Sequence, residues 1–507
     1  MKFSKKLKKS AFDLTHSKAM TAGYNGKLYP ILCESLVPGD TFKGHSNILA
    51  RVTPLVQPIY GRFDVRTDFF FVPNRLVWDN WQKFITGEGE ANGEEIVFPC
   101  FKPTLDQTTG INVLSINLQP GSLSDYLGIG LDQSVTITND SDVRITALPY
   151  RAYQLIWDEF YRDQDLQEAS GMYKGDGWDT TRDGGLLAMK YANWEKDYFT
   201  TARPWAQKGS PATIPINLTG LERVDNGATP SNGAVTINSG SLRSSAAPTT
   251  DLQATDAFSI EDIRYANALQ KWLERNARRG SRYIESIKSH FGVNTPDYRL
   301  SRPEFIGGGR QPITISEVLQ TNSDPTSETP LGTYAGHGIS SGEHSFNYTA
   351  YEHGYVIGLM RIVPRISYQN VMRKEFFKND RFDFFWPEFA HLGEQSIKKY
   401  ELNGRFMFVN NGNSDFGYQQ RYAEYKFIPS TVHGAFRDDA LLTNFTPSLN
   451  IGGPTDDANL NDYYVSQRHT AGFERVFAIP DYDPFLISII HNITAYRPIP
   501  YASTPQL

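Results

Sequence analysis

Cysteine is nearly absent: Cys33 and Cys100 are the only two in 507 residues. That is too few for a disulfide framework, and their separation is not that of a zinc site. Both are expected to be reduced and buried. Long apolar runs are missing too, since the best candidate, Pro484 to Ile490, is strand-length and far below the ~18 residues that cross a bilayer. No membrane insertion is expected. Ala11 to Met20 carries Asp13, His16 and Lys18 where a signal peptide needs an apolar centre, so export by that route is not expected either. Charge is thin at 21%, below the roughly 25% of an average soluble chain.

Aromatic residues are what the chain has in plenty, at 13%. Disorder of the whole chain is therefore excluded, while the length fits two or three domains or one heavily elaborated one. The net charge is -6, yet the first ten residues hold Lys2, Lys5, Lys6, Lys8 and Lys9 and no acid, which leaves -11 for the remainder. A basic N-terminal arm, residues 1–20, leads an acidic body.

Alternation of period two dominates. In Phe63 to Val72, Phe63, Val65, Thr67, Phe69 and Phe71 fall on one face and Asp64, Arg66 and Asp68 on the other, until Pro73 ends the run. Val135 to Thr138 and Val143 to Thr146 flank a turn sequence and read as a hairpin. Tyr355 to Val363, Arg405 to Val409, Ala423 to Ile428, Arg475 to Ile479 and Phe485 to Tyr496 are further strand candidates. Helices are fewer. Ser259 and Asp262 have capping-box spacing, Ile263, Ala266, Leu269, Leu273 and Ala277 form a stripe, and Gly280 can close a helix about 30 Å long. Trp78, Trp81 and Ile85 suggest a short helix, and Pro149 to Gln164 another with Pro in its first turn. Short strands joined by long excursions fit an all-β antiparallel sandwich or barrel with large loop insertions.

One stretch stands apart. The 48 residues from Gly209 to Asp256 contain no aromatic residue where the average composition would place about six. Such a segment builds no core, and both a flexible linker and a protruding loop fit it.

Motifs for catalysis are weak. Gly338, Ser340 and Gly342 match G-x-S-x-G, with His337, His344 and His353 near in sequence, but the flanks are polar and glycine-rich where a nucleophile elbow needs a strand and a helix. A Gly/Ser loop from Thr333 to Ser345 is the expectation, and no catalytic residue is assigned. Gly307, Gly308 and Gly309 lack the helix start that would present N–H groups to a phosphate. Asp176, Asp179 and Asp183 are the one oxygen-rich set for a divalent cation, without the order of an EF-hand loop, so no metal and no cofactor are expected. Basic features carry more. Arg264, Lys271, Arg275 and Arg278 share one face of the long helix, which fits a solvated surface or contact with phosphate or an acidic neighbour. The lysine tail fits a polyanion, whose phosphates it would neutralise without reading sequence.

Nine blocks carry a family likeness: PGDTF (Pro38 to Phe42), DFFFVPNRLVWDNWQKF (Asp68 to Phe84), LPYRAYQLIWDEFYRDQDLQ (Leu148 to Gln167), DYFTTARPWAQKG (Asp197 to Gly209), SHFGV (Ser289 to Val293), RPEFIGGG (Arg302 to Gly309), EHGYVIGLM (Glu352 to Met360), FAHLGEQ (Phe389 to Gln395) and FGYQQRYAEYKF (Phe416 to Phe427). In sequence and order they resemble the major capsid protein of microviruses, the gokushovirus-like branch above all.

The resemblance implies a single jelly roll, an eight-stranded antiparallel barrel with long loops and a few short helices. Its core would comprise residues 21–208 and 257–507, and the insertion 209–256 would rise as a protrusion at the threefold axes. It further implies a structural, non-enzymatic protein of bacteriophage virions, assembled in the bacterial cytoplasm as pentamers and a T=1 shell of sixty copies. Expected partners are other copies, circular single-stranded DNA, a small basic DNA-binding virion protein and a bacterial surface receptor. Lys2, Lys5, Lys6, Lys8, Lys9, Arg264, Lys271, Arg275 and Arg278 are then candidates for DNA contact. Phe69, Phe71, Trp78 and Trp81 are candidates for subunit contacts, where aromatics are enriched. A β-sandwich glycan-binding protein or hydrolase is the alternative from another class.

Overall fold

The computed structural model describes residues 8–88, 96–101, 120–130, 144–177, 184–212, 260–319, 334–408, 412–437, 442–449, 459–468, 476–479 and 482–502. Their strands, in chain order, are β1 Ser10–Asp13, β2 His16–Ala22, β3 Tyr29–Leu36, β4 Thr41–Val52, β5 Phe63–Pro73, β6 Cys100–Phe101, β7 Ile145–Thr146, β8 Glu304–Leu319, β9 Tyr334–Thr349, β10 Gly354–Pro364, β11 Glu394–Lys398, β12 Asp415–Gln420 and β13 Phe485–Arg497. β1 and β2 follow one another along the same side of β13, so they share one edge position. The main sheet then has eight positions in the order β2-β13-β4-β9-β8-β5-β10-β3, all antiparallel.

Numbering those eight strands along the chain, the neighbours include 1 with 8, 2 with 7, 3 with 6 and 4 with 5. This is the nested pairing of one long hairpin folded over on itself. It is the double Greek key of a jelly roll, and the expected all-β, eight-position fold is the one observed. Ser10–Asp13 and His16–Ala22 belong to it as β1 and β2, so the basic arm expected over residues 1–20 ends before Ser10.

The alternation read in β5 holds: Phe63, Val65, Phe69 and Phe71 enter the barrel core, while Phe70 and Val72 point outward under the Leu148–Ile156 helix. That helix is buried on every side and continues as a π-turn to Tyr161, ending earlier than Gln164. β10 is covered on both faces in the same way and so reads as a nearly continuous apolar run. β4 and β13 bury only alternate residues, which leaves Leu486 and Ile490 exposed on the other side of the sheet.

Several sequence expectations need correction. Thr333 to Ser345, expected as a Gly/Ser loop, lies largely in β9, Tyr334–Thr349. Its glycines serve close approach: a Cβ on Gly338 would collide with Val52 and Ile313, and one on Gly342 with Gln311. The glycine content that argued against a strand is what lets large neighbouring side chains cross it. Residues 405–408 of the expected strand Arg405 to Val409, and Ala423 to Ile428, are not strands: the 3-10 turns Gly404–Phe408 and Ala423–Tyr425 stand there, whose Phe406 and Ala423 plug a third core beside β11 and β12. Of Arg475 to Ile479, residues 476–479 are described, and they contribute only a bridge from Phe477 to Leu55. Most of the hairpin expected at 135–146 lies outside the described residues, and Ile145–Thr146 pairs with Cys100–Phe101 instead. The long helix, Ile260–Arg279, is as expected and is closed by Gly280 at φ 89°. Only Leu273 and Ala277 of its stripe are buried.

The two edges of the sheet, β2 and β3, meet without a ladder between them. Polar side chains close this seam. Lys18 Nζ donates to the carbonyls of Pro30 (2.9 Å) and Tyr126 (2.5 Å). His491, on β13, bonds through Nε2 to the Ile31 carbonyl (3.1 Å) and through Nδ1 to the Ser46 hydroxyl (2.7 Å). Arg497 donates to the Ser35 carbonyl at 3.1 Å. Burial holds Lys18 down to about 8 and His491 down to about 4, with His16 and Lys18 adding to the latter. His491 is therefore neutral at pH 7, donating through Nε2 and accepting from Ser46.

This sets a pH dependence. An unfolded histidine takes up a proton near pH 6.5, and folded His491 refuses it until about pH 4, so its contribution to stability is lost as pH falls from 6.5 to 4. The loss is on the order of 2–3 kcal/mol. His491→Gln keeps a donor toward Ile31 but cannot titrate. Urea midpoints measured from pH 7 to pH 4 should fall less steeply for the variant, and parallel curves would assign the acid sensitivity to other groups.

Candidate subunit and nucleic-acid interfaces

Phe69, Phe71 and Trp78 do not reach a surface at all: each is 0% exposed within the single chain. Phe69 and Phe71 fill the barrel against Phe346 and Tyr348, and Trp78 packs between Trp81, Phe84 and Phe98 in the layer outside it. The expected subunit contact through these three is corrected, because each lies inside one of the separate cores of the fold, Phe69 and Phe71 in the barrel and Trp78 in the layer outside it. Trp81 is half-buried, lies beside His353 and keeps one edge toward solvent. The Asp176 carboxylate accepts from Trp78 Nε1 (2.7 Å) and Asn80 Nδ2 (3.0 Å), which makes it an anchor for that layer. Asp179 and Asp183 lie outside the described residues, among which no cluster of metal-ligating side chains occurs.

Ser340 sits in the middle of β9, nearly buried, where its hydroxyl donates to the Pro312 carbonyl (2.7 Å) and accepts from Gln311 Nε2 (3.0 Å). No strand-to-helix elbow is present, and His344 bonds Thr67 rather than Ser340. Cys33 and Cys100 are free thiols, partly rather than fully buried, and burial pushes the Cys33 thiol up to about 12. A thiol raised this far lacks the character of a nucleophile.

Of the lysine tail, Lys8 and Lys9 are described and exposed, and Lys9 Nζ lies 3.4 Å from the Thr41 hydroxyl at the foot of β4. Lys2, Lys5 and Lys6 lie outside the described residues.

The basic helix is divided by its surroundings. Lys271, Arg275 and Arg278, joined by Arg279, line a cleft of 610 Å³ against β12. Arg264 lies about two helical turns before Lys271 and is not part of it. Arg278 pairs with Glu394, a carboxylate whose pKa burial raises despite the guanidinium. Its role is to pin the helix to β11. Lys271, Arg275 and Arg279 have no ion pair among the described residues and stand free to meet an anion.

The cleft does not end there. Arg203 belongs both to it and to a second hollow of 230 Å³, which in turn shares Lys196 and Arg361 with a third of 440 Å³ beside Arg66. Along the three, ten cations face six carboxylates, on a chain whose net charge is -6. Burial, with Arg361 and Arg310 close by, lowers the pKa of Arg66, as a crowded positive field should. Sequence reading missed Arg66, Lys196, Arg203 and Arg361 because they come from two strands, β5 and β10, and one irregular stretch, with no shared spacing. The one local signal was Arg66 on the outward face of β5.

Comparisons with known proteins agree with this architecture. The family model described as "Capsid protein (F protein)" matches residues 2–507. Relatives named capsid protein VP1 come from Chlamydia phage 1 (32% identity, covering 99% of this chain and 96% of the relative) and Bdellovibrio phage phiMH2K (33%, covering 93% and 90%). Another from Spiroplasma virus 4 is 28% identical over 98% of this chain and 95% of its own. With a jelly roll whose eight positions are accounted for, and a likeness that runs the full length, the chain belongs to the capsid protein (F protein) family of the microviruses.

Proposed function

We propose that this chain is a major capsid protein whose copies form a T=1 icosahedral shell around circular single-stranded DNA, in particles assembled in a bacterial cytoplasm. The observation that carries the reading is the full-length family match on a closed jelly roll. The long excursions from that barrel supply the several distinct faces that a subunit of a closed shell needs. Within this reading the lysine tail and the cleft around Lys271, Arg275 and Arg279 contact the packaged strand, or the small basic virion protein that accompanies it. The insertion 209–256, most of which lies outside the described residues, is the outward protrusion that meets the host receptor.

The DNA contact is tested by single-strand binding of dissociated capsid protein across a salt series. Each phosphate contact adds about 0.7 to the slope of log affinity against log salt. Replacing Lys2, Lys5, Lys6, Lys8 and Lys9 by Ser should lower the slope by at most ~3.5, and replacing Lys271, Arg275 and Arg279 by at most ~2. Arg278 is left intact because it holds Glu394. Slopes equal to wild type for both variants would remove these residues from the contact.

The insertion should be separable from the barrel. Without aromatics it has little to bury, and loop length costs only a slowly growing closure entropy. Shortening 213–256 to a few Gly and Ser residues should leave particles that assemble but no longer adsorb to host cells. Loss of assembly would mean that the segment joins subunits, and full infectivity would place recognition elsewhere.

A further inference from the structure

Between Arg373 and Phe389 the usual placement of aromatic residues is reversed. Three 3-10 turns, Lys374–Phe377, Arg381–Asp383 and Pro387–Phe389, and the extended residues between the last two carry Phe376, Phe382, Phe384, Phe385 and Trp386, which together with Tyr425 are 46% to 73% exposed. At about 200 Å² per ring, these six side chains leave roughly 650 Å² of mostly apolar surface open to water. Summed, that area approaches the ~800 Å² that one partner contributes to a standard interface.

The patch is held in shape. Lys378 is 7% exposed and lies 3.8 Å from the Tyr425 ring centroid, 5.7 Å from that of Phe384 and 3.6 Å from the Glu424 carboxylate. Trp386 Nε1 donates to the Arg381 carbonyl (2.8 Å), the Asp383 carboxylate accepts from the backbone N–H groups of Asn379 (3.0 Å) and Asp380 (2.9 Å), and Phe385 packs edge-on against Tyr422. Rings fixed from behind by a buried ion pair lose little further freedom on docking, which is the arrangement of an interface anchor.

Charge narrows the occupant. Arg373, Lys374, Lys378 and Arg381 are balanced by Glu375, Asp380, Asp383 and Glu388, so this face has no surplus to attract a polyanion. It calls for a protein surface of similar character. We propose that this preorganised aromatic face docks against a second copy of the same chain. The proposal rests on the shell-forming reading above and names where one of the contacts lies.

The test uses the full-length chain in two arms. Phe376→Ser combined with Phe384→Ser should keep the wild-type circular dichroism and melting profile while particle yield, by sedimentation and electron microscopy, falls at least tenfold at equal concentration. In the second arm a photo-crosslinking residue replaces Phe376, at an exposed position that the fold does not need, and irradiated particles should give a covalent dimer of the chain. Variant particles at wild-type yield, a crosslink to another virion component, or no crosslink at all would overturn the proposal. A wild-type chain that forms no particles under any condition would remove the shell reading and this inference with it, a result distinct from particles that ignore the patch.

Discussion

A sheet that curls until its edges meet must satisfy those edges, and here the last gap is bridged by side chains instead of a ladder. Lys18 on the edge strand β2 and His491 and Arg497 on its neighbour β13 reach the carbonyls of β3. They can do so because β13, near the C-terminal end of the described chain, lies between β2 near its beginning and β4. The barrel is therefore completed only when residues separated by 460 positions or more come together. Contacts of such separation are slow to form, and a chain waiting for them exposes the apolar face of β4 and β5. The polar seam has a further consequence: a neutral imidazole and a buried ammonium group tie closure of the barrel to protonation, which a row of backbone bonds would not.

The closed barrel is then built upon outward from one half. β5 and β10 are covered on their outer faces by the Leu148–Ile156 helix and its surroundings, while β13 keeps Leu486 and Ile490 bare. About 230 residues intervene between β5 and β8, and they return to the barrel through specific anchors. Trp78 is tied to Asp176, the Arg151 guanidinium reaches the carbonyls of Gly175 and Gly177, and Arg282 donates to those of Asp158 and Arg162. Excursions anchored in this way present fixed surfaces. Most of the cationic run is made from them, while the aromatic face belongs to the later excursion between β10 and β13.

What could be read in the sequence follows from this layering. β5, β10, β13 and the long helix were legible because their periodicity reports contact with one or two continuous layers. β9 was not, since its Gly338 and Gly342 answer to side chains on β4 and β8 that no local pattern reveals. The 3-10 turns around Phe406 and Ala423 looked like strands because five or six alternating apolar residues do not distinguish the two. The choice of Phe69, Phe71 and Trp78 for subunit contacts failed for a related reason. Composition shows a surplus of aromatics, but only the fold shows how many layers consume it. The helix cations were found by their spacing, whereas Arg66, Lys196, Arg203 and Arg361 required the three-dimensional arrangement.

Charge then separates the kinds of partner that one subunit must distinguish. A net charge of -6 would repel a polyanion if it were spread evenly. Instead carboxylates are used as internal fasteners where cations converge: Glu394 holds Arg278, Asp163 holds Arg203 and Glu195 holds Arg66. The cations left over, Lys271, Arg275 and Arg279, face the open cleft. At the aromatic face the balance is equal and opposite charges lie within a few residues of each other, so neither attraction to phosphate nor repulsion between like copies prevails there. The same acidic chain thus carries one surface suited to an anion and another suited to a neutral apolar neighbour, with the buried ion pairs keeping the two apart.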